Sequence, residues 1–269
     1  MYLLTCLLVF LAAYLVNITT ISVLYHRGLA HEAVRLSPGL RRFVARAGIW
    51  LTGLDPKGWV CMHRRHHAYS DTPADPHSPV NHGVPGVLLE QLRSYERTLI
   101  GLAKGDAEYT SHVEDIEFPT NWLNRSGLWY LPYAVHLALA VAVAAPTGYW
   151  LLGFAYLFGI MSHPLEGWMV NAFGHAFGGR NFDTPDNSRN HHITAWLVAG
   201  EGFQNNHHRY PASARFSYRW PEIDMGYAIC RLFEVVGVLE VRRDTLIPAP
   251  SVVGIGSHAA AAPQPSDVF

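Results

Sequence analysis

Residues 126–165 read SGLWYLPYAVHLALAVAVAAPTGYWLLGFAYLFGIMSHPL, and none of these 40 side chains is charged. The run lies between Arg125 and Glu166 and is interrupted only by Ala145-Pro146-Thr147-Gly148. A bilayer core of about 30 Å is crossed by about 20 helical residues, so two spans joined by a tight turn fit this length. We expect them at about 127–145 and 148–166. Towards the N-terminus, Met1 to Tyr25 also carries no charge, and Leu7 to Val16 is almost wholly apolar. That predicts a third span at about 3–24. A cleaved signal peptide is the competing reading, but no basic residue precedes the apolar run and no clear cleavage site follows it. Between these deserts, Phe43 to Leu54 is apolar for only 12 residues and contains Arg46, too short to cross. It predicts an interfacial helix at about 40–54, with Arg41, Arg42 and Arg46 reaching lipid headgroups.

The flanks and the composition agree with this arrangement. Charged residues make up 15% of the 269, against about 25% in soluble domains, and the deserts hold the deficit. Arg27, Arg35, Arg41 and Arg42 follow the first span, which places its C-terminal end in the cytoplasm. The hairpin leaves and returns, so residues 26–125 and 166–269 share the cytoplasmic face. The net charge of −1 gives no basic surface for a nucleic acid. Cys6, Cys61 and Cys230 are odd in number and far apart, which excludes a disulfide framework. Ile229, Leu232, Phe233, Val236 and Leu239 recur at helical spacing, predicting an amphipathic helix over 223–241. Beyond Ile247 the chain turns rich in Pro, Ala, Ser and Gly, and residues 247–269 are expected to form a disordered tail.

Histidine is abundant at 16. Half fall in four clusters on the expected cytoplasmic face: His26 and His31; His63, His66 and His67; His175, four residues after Asn171; and His207 and His208. Residues three and four apart share a helix face, so His63, His66 and His67 can aim at one point. Gln204, His207 and His208 repeat that spacing with an amide in the first place. His26 and His31 are five apart and converge only if a helix ends between them, which Gly28 permits. His136 and His163, alone in the hairpin, are expected to be hydrogen-bonded structural residues. His77, His82, His112 and His258 have no clustered partner, and His191 and His192 are expected in a surface loop. Imidazole suits Zn, Cu, Fe and Ni, and a structural zinc site would use cysteine. Eight imidazoles on one membrane face therefore point to two metal ions with open positions. A redox pair there implies oxygen chemistry on a lipophilic substrate. Zinc hydrolysis and a non-catalytic metal-binding membrane protein stay open, although transport would place the polar residues at mid-membrane.

The order and wording of these motifs carry a resemblance. Tyr25-His26-Arg27 through His31, Trp59-Val60-Cys61-Met62-His63-Arg64-Arg65-His66-His67, Asp75-Pro76-His77, Asn171-Ala172-Phe173-Gly174-His175 and Gly200-Glu201-Gly202-Phe203 through His207-His208 resemble the membrane-bound fatty acid desaturases of the acyl-CoA and acyl-lipid delta-9 group, over roughly residues 15–243. The resemblance implies an all-α membrane protein with about three transmembrane helices, interfacial helices and a cytoplasmic helical cap, within a desaturase-like domain over 1–246. It implies two irons held by nine histidines and by a water bound through an asparagine. His26, His31, His63, His66, His67, His175, His207 and His208 match eight of the nine, and Asn171 matches the asparagine. Gln204 stands at the ninth, as glutamine does at the start of the third box of front-end desaturases. The implied reaction uses dioxygen and external electrons to place a cis double bond in a saturated acyl chain. The implied electron donor is a separate protein of ferredoxin, rubredoxin or cytochrome b5 type. Trp59 matches a residue lining the acyl tunnel. Asp75 and Glu201 can orient ligand imidazoles or can be solvated loop carboxylates. The arginines near the boxes suit phosphates of CoA, a carrier protein or a phospholipid. Because Gln204 departs from the pattern, a related lipid hydroxylase or acetylenase is the alternative.

Overall fold

The computed structural model describes residues 1–245, so the tail expected at 247–269 lies outside the described residues. The described chain is predominantly helical, as expected, with one small two-stranded sheet added. Helix α1, Tyr2–Ile18, exposes Leu3, Leu4, Leu7 and Leu8 along its flank. It runs without a break into a π-helix, Thr19–Ala30. Together they form the one helix among the described residues that is long and apolar enough to cross a membrane. At the changeover Thr20 Oγ1 donates to the Val16 carbonyl at 2.8 Å, a side-chain bond that competes with the regular ladder.

After β1, Val34–Leu36, helix α2 occupies Pro38–Thr52, close to the interfacial helix expected at 40–54. Ser37 caps its start by accepting from the Leu40 amide, and Pro38 pre-sets the first turn. Gly53 ends it at φ 73°, and a Cβ there would stand 2.4 Å from the Tyr133 ring, so only glycine satisfies both demands. Helix α3, Pro56–Tyr69, carries the central histidine box. Its N-cap Asp55 is fully buried and accepts from the amides of Gly58 at 2.9 Å and Asn121 at 2.5 Å. Val60 and Cys61 seat α3 in the main core with Tyr25, Leu29 and Val34. Helix α4, Pro79–Lys104, is kinked at Gly83. The short helices α5, Ala107–Thr110, and α6, Trp122–Arg125, lead to the hairpin.

The hairpin is built from α7, Leu131–Thr147, and α8, Trp150–Ile160. At about 1.5 Å per residue these helices are roughly 25 and 16 Å long, shorter than the spans expected at 127–145 and 148–166. Proline and glycine account for the difference. Pro132 fixes the start of α7 and Gly148, at φ 70°, its end, and Ser162-His163-Pro164 stops α8 and opens α9, His163–Trp168. Helices α1 and α8 approach closely at Gly159, where a Cβ would meet the Phe10 carbonyl at 2.6 Å, the small-residue contact that lets apolar helices pack in lipid. His136 is the hydrogen-bonded residue expected, with Nδ1 2.6 Å from the Tyr156 hydroxyl and Nε2 2.6 Å from the Trp50 carbonyl.

Helix α9 continues through a π turn, Met169–Phe173, into α10, Gly174–Ala176. Helices α11, His192–Leu197, α12, Gln204–Arg209, and α13, Met225–Val235, complete the cap. The amphipathic helix expected over 223–241 stops early, because Gly237 turns at φ 74° and the chain becomes β2, Leu239–Val241. Strand β2 pairs antiparallel with β1, Val34 opposite Val241 and Leu36 opposite Leu239.

Candidate metal centre

The first pair of histidines meets by a route different from the expected one. No helix ends at Gly28; the backbone widens instead. In the π-helix each amide reaches the carbonyl five residues back, and the His31 amide donates to His26 O at 3.1 Å. Residues five apart then share a face, and the two rings lie 4.9 Å apart. Gly28 serves a close approach, since a Cβ there would press on Leu36 at 3.0 Å. π-helical segments are rare and occur often at functional sites.

Around this pair, the ligand atoms of His26, His31, His63, His67 and His207 all lie within 4.8 Å of one another. Nε2 faces Nε2 at 3.0 Å between His26 and His207, 2.7 Å between His31 and His63, and 2.9 Å between His207 and His67. His207 Nε2 thus faces two partners, and one proton cannot serve both. Burial pushes His31, His63, His67 and His207 well below the ordinary histidine pKa. Neutral imidazoles crowded lone pair to lone pair are costly unless a cation lies among them.

A second group lies beside the first. His66, His175 and His208 converge within the same limit. Each turns Nδ1 to a carboxylate, His66 to Asp75 at 3.0 Å, His175 to Asp71 at 2.9 Å and His208 to Asp186 at 2.6 Å. Each leaves its Nε2 buried without a partner. In the first group, His26 does the same with Glu201 at 2.7 Å. A carboxylate on Nδ1 fixes the tautomer and bares Nε2, the arrangement that orients metal-binding histidine. Burial alone would raise Asp75, Asp186 and Glu201, yet the facing imidazoles hold all three below the usual carboxylate range, with Arg27 assisting at Glu201. They stay ionised as acceptors. The donor set of neutral nitrogens fits iron or another imidazole-preferring metal and does not fit magnesium or calcium.

Asp75 faces His66 and Glu201 faces His26, the two carboxylates for which the sequence leaves open either imidazole orientation or a solvated loop. Asp71 and Asp186 were missed. The available signal was the repeated wording Asp71-Thr72-Pro73 and Asp183-Thr184-Pro185-Asp186, in which Asp and Thr build tight turns. His77 was set aside as solitary, but it is buried and stacked on His66 with ring centroids 4.8 Å apart. Burial and the His66 charge lower its pKa to about 3. We expect Asp186→Asn to weaken metal retention by about 10–100-fold, read as a shift in the chelator concentration that strips the metal; an unchanged midpoint would remove Asp186 from the support of His208.

A cavity of about 110 Å³ opens on this centre, walled by His26, His63, Trp59, Asn171 and Gln204 among others. The Trp59 ring stacks on His63 at 4.9 Å. Asn171 sits in the π turn that leads to His175. Gln204 is buried, donates from Nε2 to the Glu201 carbonyl at 2.7 Å, and packs on Gly174, where a Cβ would come within 2.5 Å of its Cγ.

The model of the family described as fatty acid desaturase matches residues 3–231. The chain is 32% identical to an acyl-CoA 5-desaturase of Anemone leveillei over 82% of its own length and 65% of the relative's. It is 31% identical to delta-9 acyl-lipid desaturase 1 of Arabidopsis thaliana over 90% of its length and 75% of the relative's. It is 30% identical to a hex-5-enoyl-[acyl-carrier protein] acetylenase of Moorena producens over 81% and 70%.

Proposed function

Since the chain belongs to the fatty acid desaturase family, we propose that it is a membrane diiron oxidoreductase that introduces a cis double bond into a saturated fatty acyl chain, of delta-9 type. The observation that carries this reading is the pairing of two imidazole groups, one of five and one of three, beside a cavity walled largely by apolar side chains. His26, His31, His63, His67 and His207 would hold one iron. His66, His175 and His208 would hold the other, with Asn171 through a water and Gln204 beside it. The two irons would supply dioxygen activation and abstraction of hydrogen from an unactivated methylene.

The remaining work belongs to the protein. Asp71, Asp75, Asp186 and Glu201 keep four imidazoles in the tautomer that presents Nε2. Trp59, held by stacking on His63, forms an apolar wall against which the acyl chain is positioned. The buried rim excludes bulk water from the reacting carbons. A separate electron donor of ferredoxin, rubredoxin or cytochrome b5 type is the expected partner. The histidine boxes face the cytoplasm, by the positive-inside argument from Arg27, Arg35, Arg41 and Arg42.

The test is expression in a host lacking such an enzyme, with mass spectrometry locating any new double bond, together with metal analysis of purified protein. About two irons per chain and a monounsaturated product are expected; zinc alone, with no iron-dependent product after reconstitution, would sink the reading. Gln204 favours a second reading, a lipid acetylenase or hydroxylase on the same centre, because it replaces the family's ninth imidazole and stands in the cavity wall. Gln204→His separates the two. An unchanged product with higher iron occupancy makes Gln204 a tolerated replacement, whereas a changed ratio of desaturated to further oxidised product makes it the determinant of outcome.

A further inference from the structure

The cavity wall contains a polar pair that the proposed chemistry does not use. His163 and Glu166, three residues apart at the start of α9, both line the cavity that holds Trp59 and His63. Each is 7% exposed. His163 Nδ1 and Glu166 Oε1 are buried and have no hydrogen-bond partner. The same wall carries the apolar Ile18, Leu92 and Val170. A tunnel that only had to hold a hydrocarbon tail would be better walled by leucine here, because a buried polar atom without a partner destabilises the fold.

Their position sets them along the helical segment that leads to the centre, in the wall of the cavity that opens on it. His163 precedes His175 by twelve residues along one continuous helical segment, at most about 18 Å at ~1.5 Å per residue. Glu166 and Asn171 lie on the same segment, five residues apart. A group carried along an acyl chain lying in this cavity would therefore pass from the imidazole centre to the His163–Glu166 pair. Gln91, also in the wall, is already occupied, donating from Nε2 to the Pro164 carbonyl at 2.7 Å. His77 Nδ1 is a third unpartnered polar atom of the wall, but His77 stacks on the metal-facing His66, whereas His163 and Glu166 stand together on α9.

We infer that His163 and Glu166 form a subsite for an oxygen function on the acyl chain, so that the preferred substrates are hydroxylated fatty acyl chains and not plain saturated ones. A hydroxyl suits the pair, since it donates one proton and accepts through two lone pairs, matching a carboxylate and an imidazole together. The inference rests on the fatty acyl reading above and narrows it. A site built to hydrogen-bond a hydroxyl discriminates strongly against the analogue lacking it, because its polar atoms are then left unpaired.

The test is equilibrium binding of stearic acid and a panel of positional monohydroxystearic acids to the purified full chain, with and without added iron, so that the readout does not depend on turnover. At least one hydroxy isomer is expected to bind about tenfold or more tighter than stearic acid. Glu166→Leu and His163→Leu should abolish that preference without weakening stearic acid binding. Both replacements put an apolar side chain into an apolar wall and should leave the protein folded; Glu166→Gln, which keeps an acceptor, should retain part of the preference. Equal binding of stearic acid and every hydroxy isomer, or a preference unmoved by both leucine variants, would overturn the subsite and leave the desaturase reading intact. Failure of every fatty acid to bind, together with no unsaturated product in cells, would overturn the acyl reading itself.

Discussion

His67→Ala and His208→Ala are each expected to abolish product formation and to cost the protein bound iron, while the protein stays in the membrane fraction. The two changes strike different groups. His67 faces His207 at 2.9 Å within the group of five, and His208 supplies one of the three bare Nε2 atoms of the other. Removing a group that only orients a metal-bound histidine costs about 10–100-fold in affinity or activity; removing the imidazole itself should exceed that range. The distinguishing feature is the stoichiometry. Each variant should retain about one iron in place of two, because each leaves the neighbouring group complete, and α3 should hold its fold through Val60 and Cys61, which seat it in the main core. Normal turnover in either variant would contradict the assignment of that residue as a ligand. Loss of the protein from the membrane would mean that the histidines act in folding.

The histidine spacings made much of this site readable. The central cluster lies on a regular helix, where the i, i+3, i+4 rule brings His63, His66 and His67 to one side of α3, but the structure divides them, His63 and His67 in the group of five and His66 in the group of three, which spacing alone does not reveal. Boxes whose geometry depends on irregular backbone were less legible. The meeting of His26 with His31 needed a π-helix, and no residue pattern in 19–30 separates that from an α-helix ended by Gly28. The carboxylates divided similarly. Asp75 meets His66 from only 9 residues away, so proximity along the chain exposed it, whereas Glu201 stands beside the third cluster but turns to His26 near the other end of the chain. Asp71 meets His175 from 104 residues away, and only the fold brings them together. The hairpin was recognisable by its missing charges, but its helix ends were set by Pro132, Gly148 and Pro164, which a count of apolar residues ignores. The sequence gives no reason to separate His163 from His136, since each is a lone histidine in the uncharged hairpin. The two differ in hydrogen bonding alone, since His136 has both nitrogens occupied and His163 has an orphan in a cavity wall.

The largest effect on stability is expected at Arg27, which follows His26 in the sequence and is fully buried. Its guanidinium ties together loops far apart in the sequence. Nε donates to the Ala214 carbonyl at 2.8 Å, Nη1 to Glu201 at 2.7 Å and Nη2 to Asp224 at 3.0 Å, and the plane lies over the Phe216 ring at 3.8 Å. Arg27→Met keeps the volume and strands two buried carboxylates, and breaking a buried ion pair from one side costs about 3–5 kcal/mol. That is a large share of the roughly 5–15 kcal/mol that holds a typical domain, so the variant should unfold at a clearly lower denaturant concentration in detergent. Because Glu201 also accepts from His26, loosening it should weaken the five-histidine group before the protein unfolds, and iron loss should precede the loss of helical signal during the titration. Arg27→Lys should fall between, since an ammonium is a point charge without the planar fork that reaches both carboxylates and stacks on Phe216. If Arg27→Met unfolds within about 0.5 kcal/mol of the parent, as an ordinary surface substitution would, the cluster is not what ties the first histidine pair to the cap.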